Sequence, residues 1–150
     1  MKPIAFLLPL MLGYCGETLG DKDGNYEWYV KNNTNKPVTI DCPWLMDNIN
    51  TIEVGDSLTV GFYFHLKGNE PIPFEALFNV RDDWTFSIIE NGRIVKAWAS
   101  NDNDEEMRQF QDEACWRRSE YEKKYGKKYY TYVSWTFDIL PEDLEYSLVE

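Results

Sequence analysis

Apolar and polar residues alternate one by one along most of this chain, which is the period of a strand with one buried face. Tyr26, Trp28 and Val30 alternate with Glu27, Tyr29 and Lys31, and Val38, Ile40 and Cys42 align within Lys36 to Cys42. Thr131, Val133, Trp135, Phe137 and Ile139 share one face of the stretch Tyr129 to Leu140, with Tyr130, Tyr132, Ser134 and Thr136 on the other. Between Ser57 and Leu66 the pattern predicts a core face of Leu58, Val60, Phe62, Phe64 and Leu66, which puts His65 on the polar side. Thr51 to Val54 reads as a short strand, turned by Gly55-Asp56.

The sharpest local signal is Asn91-Gly92 between Trp84–Glu90 and Arg93–Trp98. Asn-Gly between two β-prone runs predicts a hairpin closed by a type I′ turn. A two-residue turn fixes the register, so Glu90 is expected opposite Arg93, Ile88 opposite Val95 and Phe86 opposite Ala97. Trp84, Phe86, Ile88, Val95 and Ala97 would then face the core, and Trp98 would face away.

Other segments break the alternation. Gly68 to Asn79 contains Pro71 and Pro73 and reads as a loop with one helical turn near Phe74–Leu77. Met107 to Glu122 is the one helix candidate, with dense charge and poor apolar spacing, and Lys123–Lys128 is a basic turn. Asn32-Asn33-Thr34 spells a glycosylation sequon but sits where turn chemistry is expected. About seven strands separated by turn signals, with no strand–helix repeat, predict an all-β antiparallel sandwich, Ig-like, with at most one short helix. A small closed barrel is the alternative.

The N-terminus changes the picture from fold to location. Met1-Lys2 precedes an apolar run from Pro3 to Leu12, too short to span a bilayer and patterned as a secretory signal. Its end, Leu12-Gly13-Tyr14-Cys15-Gly16, resembles a bacterial lipoprotein signal in which Cys15 is lipidated. Tyr14 departs from the small residue usual before that cysteine, and a plain signal peptide cut nearby is the alternative. The expected organisation is a signal peptide over 1–14, a tether over 15–25 and a single domain over 26–150. The remaining Cys42 and Cys115 are either a disulfide, as export permits, or two buried thiols.

Composition mainly excludes. A net charge of −11 argues against nucleic-acid binding and against an electrostatic grip on anionic lipid. A single histidine, His65, leaves no His-rich metal cluster and no conventional Ser-His-Asp triad. Gly55-Asp56-Ser57-Leu58 matches the block of one esterase family, but no histidine follows His65 to complete that pattern. Neither a P-loop nor a dinucleotide fingerprint occurs, and no cofactor or metal is expected. Asp102, Asp104 and Glu106 lack the glycine that shapes a calcium loop.

Three stretches taken together resemble a known group: Tyr26–Thr34, Asp83–Gly92 and Trp135–Leu144. They are similar to small exported lipoproteins of Bacteroidetes whose function is not established. The resemblance covers strand and turn segments, so it implies location and architecture and carries over no site residue. It places the protein in the cell envelope, held outside the cytoplasm by a lipid anchor, with a soluble secreted or periplasmic protein as the alternative.

The functional expectation is a non-enzymatic binding or interaction module for a protein or glycan ligand. Trp44, Trp98 and Trp116 are the candidate contact aromatics, because indole faces stack on sugars and anchor interfaces. The alternatives are a carboxylate-using glycan hydrolase and an inhibitor that presents the loop at 67–79.

Overall fold

The computed structural model describes residues 23–66, 70–101 and 108–145. Eight strands lie within them: β1 (Asp23–Asn32), β2 (Val38–Asp41), β3 (Ile49–Ile52), β4 (Ser57–His65), β5 (Thr85–Glu90), β6 (Arg93–Ala99), β7 (Arg117–Tyr125) and β8 (Lys128–Ile139). They form two four-stranded sheets, in spatial order β4-β1-β8-β7 and β3-β2-β5-β6. Every pairing is antiparallel except β1 with β8. This is the all-β sandwich that the alternation predicts. β1 opens at Asp23, three residues ahead of the expected domain start. Cys15, the leader, most of the tether and the acidic run Asp102–Glu106 lie outside the described residues.

The additional strand is β7, which replaces the expected helix. Residues 117–125 are all exposed and pair with β8 through the tight turn Gly126-Lys127, where Gly126 has φ +66°. A positive φ at the first central position only is the type II′ hairpin. An edge strand wet on both faces carries no apolar period, so hydrophobic patterning cannot find it. The helical content of the expected segment reduces to one 3₁₀ turn at Glu113–Cys115.

Two bulges correct the face assignments. On β4, Trp28 pairs with Gly61 and Tyr29 with Thr59, so Val60 is an extra residue. Beyond it the alternation inverts: Phe62, Phe64 and Leu66 are 54%, 49% and 56% exposed, while His65 is buried and meets Tyr26 edge-on at 6.0 Å. On β6, Ile89 pairs with Ile94 and Ile88 with Lys96, so Val95 is the extra residue. Phe86 therefore faces Trp98 rather than Ala97, and Trp98 turns into the core. The turn itself is as expected, with φ +53° at Asn91 and +75° at Gly92.

The core is built from aromatic rings. Trp28 and Trp135, cross-strand partners on β1 and β8, stack with centroids 4.8 Å apart, and Phe86 stacks on Phe110 at 4.5 Å. Four indole N–H groups reach carbonyl or carboxylate oxygens in the irregular segments. Trp28 donates to the Phe74 carbonyl at 3.2 Å, Trp98 to Arg108 at 2.7 Å, Trp116 to Phe110 at 2.6 Å and Trp135 to the Glu113 carboxylate at 2.8 Å. Buried indoles need such partners, and here they peg the segments at 74 and 108–116 to the strands. The 3₁₀ turn at Phe74–Val80 packs Phe74, Leu77 and Phe78 inward. The described part of the expected presenting loop is therefore packed down on the sandwich.

One corner holds the sheets together. Asn32 is fully buried, and its amide nitrogen donates to the carbonyls of Lys36 and Ile52, both at 2.8 Å. Its Oδ1 accepts from the Thr34 amide at 2.9 Å and hydroxyl at 2.7 Å. The sequon-like triplet is thus a turn whose asparagine bonds across to β3.

Candidate functional site

The three candidate tryptophans meet, but inside the protein. Trp44, Trp98 and Trp116 surround Phe110 at 5.9, 6.1 and 4.9 Å. Trp98 and Trp116 are 1% and 6% exposed and Trp44 is half-buried, so they form a core cluster and not a contact surface. Cys42 and Cys115 are both free thiols. Burial pushes the Cys42 thiol up to about 11, which keeps it protonated and unreactive near neutrality. Ser57 and His65 sit at opposite ends of β4. Eight residues of strand separate them by about 26 Å, which excludes a nucleophile–base pair.

The surface that does gather aromatic groups is the outer face of the β4-β1-β8-β7 sheet. Directly paired residues lie on the same face, so the ladders define its rows. Phe64, Asn25, Tyr132 and Tyr121 make one row across all four strands, and Phe62, Glu27, Ser134 and Ser119 make the next. Tyr29, Thr136 and Arg117 follow, and on the other side Tyr130 pairs with Lys123. Tyr121 and Tyr132 lie ring on ring, 5.0 Å apart and 10° from parallel, and Tyr125 meets Tyr130 edge-on at 5.5 Å. The face is aromatic at both edges and hydroxyl-rich between them.

Its tyrosines are electrostatically unequal. Burial, then the hydrogen bond from its hydroxyl to Glu27, pushes Tyr29 up to about 12. Hydrogen bonding with Tyr125, then burial, takes Tyr132 to about 12 as well. Tyr125 moves the other way, lowered by the same bond and by Lys123. Tyr29 and Tyr132 are thus neutral donors near pH 7. Sequence reasoning reached Tyr29, Tyr130 and Tyr132 as an outward face but missed Tyr121, because the helix expectation covered residue 121.

A second feature is a cleft beside Trp84, of about 420 Å³, lined by Asp41, Asn48, Arg81, Asp83 and Ser100 among others. Arg81 donates to the Pro43 carbonyl at 2.9 Å, which fixes its guanidinium over the cleft wall. Among the described residues no group of three or more His, Cys, Asp or Glu is arranged to hold a metal ion. Nor is any helix among them long and apolar enough to cross a membrane.

The fold and its surface define an all-β sandwich with an aromatic sheet face. Comparison with known proteins takes this no further: no family model, curated protein or solved structure matches the chain.

Proposed function

We propose that the protein is an exported, lipid-anchored binding module, not an enzyme, that holds a macromolecular ligand on the outer face of the β4-β1-β8-β7 sheet. The observation that carries this reading is the cross-sheet row Phe64–Asn25–Tyr132–Tyr121, in which exposed rings at both edges flank hydrogen-bonding groups. Tyrosine supplies large, rigid, amphipathic contact area with only two side-chain torsions to immobilise, which is why flat binding surfaces use it. Small serines between the rings leave room on the face for polar groups of a protein or glycan.

Site-specific photo-crosslinking in the producing cell tests the ligand face. A benzophenone side chain at Tyr121 or Phe62 should give a discrete adduct, and one at Thr51, on the other sheet, should not. Adducts of equal yield at all three positions, or none at any, would reject the face. The anchored part is read separately from the intact mass of envelope-derived protein, which should begin at Cys15 and carry acyl chains.

The cleft supports a second reading, a carboxylate-using glycan hydrolase, because Asp41 and Asp83 both line it. Hydrolysis of an envelope glycan that is lost in both Asp41→Asn and Asp83→Asn would establish it.

A further inference from the structure

The β7–β8 hairpin ends in Lys123-Lys124-Tyr125-Gly126-Lys127-Lys128, a basic tip on a chain of net charge −11. Sequence reading takes it for a solvated turn. The structure adds two things to that. First, the tip is pre-arranged: the ammonium groups of Lys123, Lys124 and Lys128 lie over the rings of Tyr125, Tyr129 and Tyr130 at 5.5, 5.4 and 5.5 Å. Tyr125 and Tyr129 are half exposed all the same, so each ring still offers apolar surface to a partner.

Second, the tip sits where the chain enters the domain. Asp23, the first residue of β1, pairs with Tyr130 and forms an ion pair with Lys128 at 2.8 Å. His65 pairs with Gly24, so the exposed side chains of Phe64 and Leu66 stand at this same end of the sheet. Only residues 16–22 separate Asp23 from Cys15. Even fully extended, that length of chain reaches at most about 28 Å.

We infer that this end of the sandwich is a membrane-docking edge, in which the hairpin tip seats on anionic phospholipid headgroups. The inference rests on the lipid-anchored reading for its geometry: a short N-terminal tether brings this end of the domain, and not the Asn32 corner, to the bilayer. The chemistry is that of a membrane interface. Lysines near the surface attract phosphate, and tyrosines settle at headgroup depth with ring buried and hydroxyl wet. The acids beside the lysines are Glu122, within β7, and Asp23, which Lys128 already pairs. The overall negative charge opposes adsorption of the domain as a whole, so it confines any contact with anionic lipid to the tip and turns the rest of the domain away. The ligand face stands upright beside the membrane.

The test uses the full chain with Cys15→Ser, so that no acyl chain contributes. Sedimentation with vesicles of equal parts phosphatidylglycerol and phosphatidylcholine is compared with pure phosphatidylcholine. The protein should prefer the anionic vesicles, and replacing Lys123, Lys124, Lys127 and Lys128 together by Gln should lower that preference at least about tenfold. Because the leader is common to both chains, it cancels in the ratio. Tyr125→Ser with Tyr129→Ser should weaken the binding that survives in high salt. No preference for anionic vesicles, or a preference unchanged in the glutamine variant, overturns the inference. So does retention of the same lysines by an acidic polysaccharide with no vesicle preference. The intact mass keeps the two readings apart: an acylated chain without vesicle preference defeats the docking edge alone, and an unacylated chain with that preference defeats the anchor alone.

Discussion

Trp28 and Trp135 are cross-strand partners on the one parallel pair among the described strands, and their indoles stack at 4.8 Å and 25° in the interior. Each also donates outward, Trp28 to the Phe74 carbonyl and Trp135 to Glu113. Trp28→Ala should lower the unfolding free energy by about 3–5 kcal/mol, read from urea denaturation. Trp28→Phe keeps most of the stack and loses the bond to Phe74, so it should cost only about 1–3 kcal/mol.

Gly61 is where the 3₁₀ turn at 74–80 rests on the β4 bulge. A Cβ built there would lie 2.5 Å from Leu77 Cδ1 and 3.3 Å from the Trp28 ring. Gly61→Ala should therefore destabilise by about 1–3 kcal/mol through overpacking. In the Leu77→Ala background the same change should cost much less. A double-mutant cycle with no coupling would show that the turn does not rest on Gly61.

Asn32→Ala removes the donor that serves the carbonyls of Lys36 and Ile52 and leaves the Thr34 amide without its acceptor. A loss of about 2–4 kcal/mol is expected, because the orphaned groups are buried. Thr34→Val deletes one hydroxyl and should cost about 1 kcal/mol. Thermal melts of the two variants side by side test the ranking.

Tyrosine ionisation, followed by absorbance, should resolve the outer face. Tyr125 should titrate below the ordinary tyrosine range and Tyr29 and Tyr132 near pH 12. Because the folded values of Tyr29 and Tyr132 lie above the unfolded value of about 10, their neutral forms favour folding. That stability is complete below about pH 10 and is lost as the pH rises through 12. Tyr125→Phe should return Tyr132 toward 10 and leave Tyr29 in place.

The sequence shows the two sheets plainly and misleads at the bulges. From Leu58 to Leu66 the apolar period is unbroken, yet the inserted Val60 sends Phe62, Phe64 and Leu66 outward. Gly61 inside a strand pattern was the hint, since such glycines mark bulges or close approaches. On β6 nothing local marks the insertion of Val95, and the consequence was an outward expectation for a buried Trp98. β7 escaped for the opposite reason: it buries neither face and owes its conformation to pairing with β8. The aromatic face inherits both errors, because Phe62 and Phe64 reach it through the first bulge and Tyr121 through the unpredicted strand.

The parallel β1–β8 ladder has a mechanical meaning. Its ten paired positions, Asp23 with Tyr130 through Asn32 with Ile139, run in the same direction. Tension applied at Asp23 and resisted at Ile139 loads that whole ladder in shear, so its hydrogen bonds must yield together, whereas a pull between Asp23 and Tyr132 crosses only the first three pairs. An antiparallel hairpin pulled from its open end would unzip one bond at a time. The fold therefore resists a pull along β1 and β8 in opposite directions better than a pull that parts the two strands at one end.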